Sequence, residues 1–148
     1  MKLKVTNTML SFSDERLAKN DRNDCAVRAT AIALGEDYNE IHKAYAEVGR
    51  PHRRGVKVYM IEDVLKSKLI GVDVKTSDIF LENANWDRRS TPTISQLLKQ
   101  PKFNVGSHIM ITRNHVFTIK NGEIYGNRDD NGRARIEGYI TTATGNGY

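Results

Sequence analysis

A single cysteine, Cys25, stands in the whole chain, so no internal disulfide can staple it. Three prolines are too few for a proline-rich linker, and no apolar run approaches the roughly 20 residues of a membrane-spanning helix. The opening Met1-Lys2-Leu3-Lys4-Val5-Thr6-Asn7 lacks the apolar region of a secretory signal, and with the unpaired thiol this sets the expectation of a reducing cytoplasm and no membrane. Paired cysteines and a His-Glu-x-x-His pattern are both missing, as is a glycine-rich phosphate loop, so neither zinc nor a nucleotide cofactor is expected.

The 148 residues are long enough to bury roughly 70% of their unfolded surface without metal or disulfide. Hydrophobic residues at 39% and charged residues at 28% exclude a wholly disordered chain, and the expectation is one domain over residues 1–148. The net charge of +5 raises nucleic acid as a partner, because clustered Lys and Arg displace counterions from phosphates. The densest cluster is Arg50-Pro51-His52-Arg53-Arg54 with Lys57. It carries no interleaved aromatic residue for base stacking, so a solvated basic loop is favoured over a nucleic-acid site. Asn127-x-Asp129-x-Asn131-Gly132 imitates the start of a calcium loop, but the twelfth position, where a bidentate Glu belongs, is Gly138.

Helical and alternating periods divide the chain. The first ten residues alternate loosely and predict a strand, and residues 11–23 are polar and predict a surface approach. Asp24 is placed to cap a helix over residues 25–34, apolar nearly all round and hence buried, with Gly35 as its stop. Further helices are predicted over 37–48, ending at Gly49, and over 56–69, where Met60, Val64, Leu65 and Leu69 form a stripe closed by Gly71. Residues 72–90 carry no firm signal, and Thr91-Pro92 predicts the start of a short helix through Gln100. Beyond Lys102 the period becomes alternating. Strands are predicted over 107–112, 116–119 and 133–141, with a hairpin at Asn121-Gly122, a second turn at Asn131-Gly132 and a loose tail over 142–148.

A lone buried cysteine is ordinarily small apolar filler. Cys25, however, opens a buried helix, where unpaired amides and the helix dipole favour a thiolate, and histidine lies far downstream on a sheet. Arg28, one turn further along, is expected to pair with Asp37 or Glu40, and His108 reads as a polar residue at a strand start. The segments Asp24-Cys25-Ala26-Val27-Arg28-Ala29 and Ala31-Ile32-Ala33-Leu34-Gly35, with Gly49-Arg50 and Gly55, resemble the start of papain-fold cysteine peptidase-like proteins of bacteria and bacteriophages. Asn114-His115-Val116-Phe117-Thr118-Ile119 and Gly122-Glu123-Ile124-Tyr125 are similar to the histidine strand and hairpin of that papain-like superfamily.

The resemblance implies an α+β papain-like fold, with an N-terminal helical part packed on a C-terminal antiparallel sheet. It implies a cysteine-dependent hydrolase, a peptidase or isopeptidase, acting on a protein or peptide without cofactor. Cys25 is then the nucleophile, His115 the acid-base, and the Cys25 amide part of an oxyanion hole. The third member falls at Gly126 in the family pattern. Asn127 is the first choice, brought round by a bulge at Gly126, with Asp129, Asp130 or no residue as alternatives. The family's upstream glutamine is missing, and Asn20 or Asn23 is left to supply an oxyanion amide. A deamidase, a transglutaminase-like acyl transfer or a noncatalytic binding module with a basic surface are the other readings.

Overall fold

The computed structural model describes residues 4–68, 91–113, 115–128 and 130–143. Six α-helices and a five-stranded sheet among these residues make a mixed α+β fold. The chain runs β1 (Val5–Asn7), α1 (Thr8–Ser11), α2 (Ser13–Lys19), α3 (Cys25–Leu34), α4 (Tyr38–Glu47) and α5 (Val58–Lys68). Then come α6 (Ile94–Leu97), a 3-10 turn (Pro101–Asn104), β2 (Ser107–Ile111), β3 (Val116–Lys120), β4 (Glu123–Gly126) and β5 (Gly138–Ala143). The strand order is β1-β4-β3-β2-β5. The sheet is mixed where an antiparallel one is expected, because β1 from the N-terminus joins β4 in parallel while the other pairs are antiparallel.

Strict alternation in β2 and β3 sorts the core into two layers, since neighbouring residues of a strand face opposite sides. Ile109 and Ile111 pack with Ala26, Val27, Ile41, Tyr45, Ile61 and Leu65 from α3, α4 and α5. Met110, Phe117 and Ile119 pack on the other side with Ile94, Leu97, Phe103 and Tyr139. The central helix is α3, with seven of its ten residues buried, and Gly35 ends it in the left-handed conformation (φ 65°) that glycine adopts without a Cβ penalty.

Several boundaries move for identifiable reasons. Residues 13–19, expected as surface approach, form α2, whose C-cap Asn20 turns left-handed. The helix expected at Thr91-Pro92 starts at Ile94, because Thr93 and Gln96 close a reciprocal capping box there. The last strand begins at Gly138 instead of Arg133. Backbone amides of Ile94 and Ser95 bond the carbonyls of Ala134 and Gly132, and the Ile136 amide bonds Pro92, so this stretch is tied to the α6 entry before it reaches β2. Thr142 and Ala143 belong to β5; the rest of the expected loose tail, together with Leu69, Gly71 and residues 72–90, lies outside the described residues.

Candidate active site

Helix α3 starts at Cys25 with Asp24 in the N-cap position, yet the Asp24 side chain makes no capping bond. Capping is thus not the role of this residue. Its carboxylate, fully buried, accepts from Arg16 Nε at 2.8 Å, Arg28 Nε at 3.1 Å and the Tyr38 hydroxyl at 2.7 Å. Two guanidinium groups and a phenol draw the acid sideways, which leaves the first-turn amides uncapped by it and able to stabilise an anion at Cys25. Arg28 is paired to Asp24 and not to Asp37 or Glu40; Asp37 instead caps α4 by accepting from the amides of Asn39 and Glu40.

The depth of Cys25 is set by how α3 lies along β3. Thr118 Oγ1 donates to the Ala29 carbonyl at 2.7 Å, and Lys120 Nζ to the Ile32 carbonyl at 3.4 Å. Helix and strand therefore run in the same direction. Four helical residues back from Ala29 cover about 6 Å, and two strand residues back from Thr118 about 6.6 Å, which brings Cys25 level with Val116 and His115. Burial alone pushes the half-buried Cys25 thiol up. The hydrogen bond with His115, the bond from the Val116 amide, and the positive charge of His115 and Arg28 outweigh it and hold the thiol below its ordinary value. Burial likewise opposes the His115 imidazolium, but the Asp130 and Cys25 partners raise it to about 9. Each shift favours the charged form, the thiolate at Cys25 and the imidazolium at His115.

His115 Nε2 lies 2.9 Å from Asp130 Oδ2, so Nδ1 is the ring nitrogen left for the thiol. Among the three candidates for third member, the structure brings Asp130 to the ring and not Asn127; Asp129 lies outside the described residues. The side chain of Asn127 is committed elsewhere, its Oδ1 accepting from Arg28 Nη1 at 2.9 Å, while its backbone amide donates to Asp130 Oδ2 at 2.6 Å. No bulge is needed. The β3–β4 ladder runs without a shift from Lys120↔Glu123 to Thr118↔Tyr125, and a turn closed by the Asp130 amide on the Asn127 carbonyl folds the acid back. Gly126 serves by its lack of a side chain: a Cβ there would overlap the Asp130 carboxylate and come 2.9 Å from Phe117 Cβ. His115 stacks on Phe117, with ring centroids 5.4 Å apart, which fixes the plane of the imidazole.

Arg28 spans the site from behind. Only 2% exposed, it donates to Asp24, to Thr8 Oγ1 at 2.9 Å and to Asn127, linking the cysteine helix to the turn that carries Asp130. Sequence reasoning missed this role, although an arginine inside an otherwise apolar buried helix was the available signal.

Cys25 and His115 line a cleft of about 470 Å³ between the α5 entry and the sheet end, with Gly55, Val58, Ile111 and Val116 among its walls. Asn20 does not line it. Asn20 is an exposed left-handed C-cap, and the Asn23 amide donates to the Arg53 carbonyl at 2.7 Å, so neither supplies an oxyanion donor here; the backbone at Cys25 remains. Lys57 and Arg113 also face this cleft. Arg50 is no part of a solvated surface, being 5% exposed and bonded to Asp21 and to the Asn23 carbonyl. His108 is buried with both ring nitrogens engaged, by the Thr141 hydroxyl and the Val105 carbonyl, which accounts for it structurally. No helix among the described residues is long and apolar enough to cross a membrane. Compared with known proteins, the chain matches no family model, no curated sequence and no solved structure.

Proposed function

We propose that the protein is a cysteine-dependent hydrolase with a papain-like fold, cleaving an amide bond in a protein or peptide. The observation that carries this reading is the continuous series Cys25, His115, Asp130, in which a lowered thiol meets a raised imidazole held by a carboxylate. The thiolate attacks the amide carbon, forming the S–C bond and an oxyanion that the Cys25 backbone amide faces. The His115 imidazolium gives its proton to the leaving nitrogen as the C–N bond breaks, leaving an acyl-thioester on Cys25 and neutral imidazole. Water, deprotonated by His115, then attacks the thioester and releases the acid and the thiolate. A deamidase uses the same steps on a side-chain amide, and a transglutaminase replaces water with an amine, so the thiol–imidazole chemistry is common to all three.

Two measurements test the proposal. Iodoacetamide should alkylate Cys25 faster in the folded chain at pH 7 than in the urea-unfolded chain. p-Nitrophenyl acetate should leave one acetyl group per chain, on Cys25, with a burst of nitrophenolate that Cys25→Ala lacks. Alkylation no faster than in the unfolded chain, with no acetyl-enzyme, refutes the nucleophile.

A further inference from the structure

Next to the cleft lies a second concavity of about 390 Å³, lined by Asn20, Arg22, Asn23, His52, Arg53 and Arg54. Its walls come from two segments that the fold locks together, the turn leading into Cys25 and the loop between α4 and α5. The Asn23 side chain bonds the Arg53 carbonyl, and Arg50 reaches under both to bond Asp21, the Asn23 carbonyl and the Arg54 carbonyl at 2.6 Å. Arg53 itself takes a left-handed backbone (φ 64°), uncommon outside glycine, which makes its placement a specified feature of the loop.

The charge in this concavity is one-sided. None of the six lining residues is a carboxylate, and among the described residues no acid is ion-paired to Arg22, Arg53 or Arg54. The two aspartates of the neighbouring turn are buried and already taken, Asp21 by Arg50 and His42, and Asp24 by Arg16, Arg28 and Tyr38. Three arginines thus line an open space, with no described carboxylate ion-paired to any of them.

The concavity adjoins the proposed nucleophile through the chain itself. Asn23 precedes Cys25 by two residues, at most about 7.6 Å between Cα atoms, and Arg54 is followed directly by Gly55 of the catalytic cleft. We propose that this is a substrate subsite for an acidic polypeptide segment, recognising Asp or Glu side chains that flank the scissile amide; the assignment rests on the hydrolase reading. The planar guanidinium matches a carboxylate with two parallel bonds. Nucleic acid fits less well, because no Phe, Tyr or Trp lines the concavity to stack on bases.

The test uses the full chain carrying Cys25→Ala, so that binding is read without turnover, and a fluorescent peptide with four Asp or Glu residues beside a central Gly-Gly. Anisotropy should show at least tenfold tighter binding than for the Asn/Gln version of the same peptide. The preference should weaken as salt rises and vanish when Arg22→Gln, Arg53→Gln and Arg54→Gln are combined, with the melting temperature unchanged because all three side chains are exposed. Equal binding of the two peptides overturns the subsite. So does displacement of the acidic peptide by oligothymidylate of equal charge at a tenth of the concentration, which would assign the surface to nucleic acid. Failure of the hydrolase reading shows separately, as absent acetylation of the wild-type chain by p-nitrophenyl acetate.

Discussion

Two histidines in this fold stand 2.9 Å from an aspartate, His115 from Asp130 and His42 from Asp21, and their proton affinities move in opposite directions. Burial disfavours the charged ring in both. At His42, burial and the neighbouring Arg50 charge together outweigh Asp21 and hold the imidazole below its ordinary value. At His115, Asp130 and Cys25 outweigh burial and raise it to about 9. The difference lies in the third partner. Arg50 already neutralises Asp21 through two bonds, 3.1 and 2.9 Å, so that acid supports no second cation. Asp130 has only a backbone amide and the ring among its described partners, and the thiol adds a further anion when ionised. A His–Asp distance therefore does not by itself identify acid-base machinery; the charge balance around the pair does.

The strongest way to break the comparison is Arg50→Met, which removes the cation from the structural cluster. Asp21 and His42 are left buried, and stability should fall by about 3–5 kcal/mol, a drop in melting temperature of roughly 6–20 °C. The His42 ring should then titrate above its wild-type position in an NMR pH series, as its opposing charge is gone. A His42 that stays where it was would show that burial alone sets it.

Asp130→Asn sharpens the other side. In the proposed hydrolysis the imidazolium protonates the leaving group, so activity should be lost as pH rises through about 9, where His115 gives up its proton. Without the carboxylate the imidazolium is less favoured, and that alkaline limb should move to lower pH, toward the ordinary histidine value near 6.5. The same variant should raise the thiol, because a neutral ring no longer stabilises the thiolate. An unmoved limb would remove Asp130 from the site.

The smaller pair of variants, His115→Ala and His42→Ala, measures the contrast directly at the thiol. With the imidazolium gone, burial is left less opposed and the Cys25 thiol should rise. Iodoacetamide labelling at pH 7 should slow several-fold. His42→Ala, acting on a cluster with no contact to the sulfur, should leave labelling of the folded protein unchanged. Equal slowing would mean that both variants act through loss of structure.

What could be read from the residues was whatever is encoded locally. Gly35 and Gly49 marked helix ends, Asn121-Gly122 set the hairpin and its Lys120↔Glu123 register, and the apolar circumference of residues 25–34 marked the central helix. Cys25 stands out as the first residue of that legible helix, whereas His115 is preferred to His108 only through the resemblance of its strand. Asp24, Arg28 and Arg50 did not, because their partners are 4 to 99 residues away and a carboxylate looks the same whether it caps a helix or is drawn off by two arginines. The strand expected in the first ten residues is β1, but its parallel pairing with β4 escaped for the same reason, the partner lying far along the chain.

Asn127 is where local and distant information conflict, and it gives the smallest and most discriminating variant. Counting along the hairpin turns it away from His115, and only a bulge at Gly126 makes it the third member; that reasoning follows side chains, and the contribution of Asn127 to the acid is made by its backbone amide, which substitution does not remove. Asn127→Ala deletes only the acceptor for Arg28, which keeps Asp24 and Thr8 as partners. Stability should fall by about 1–2 kcal/mol, read from the urea midpoint, while the alkaline limb stays near 9. A limb displaced as far as in Asp130→Asn would mean that the Asn127 side chain, reaching the ring in solution, is the orienting group. A stability loss with the limb in place separates holding the loop from holding the proton, which is the distinction the two His–Asp pairs embody.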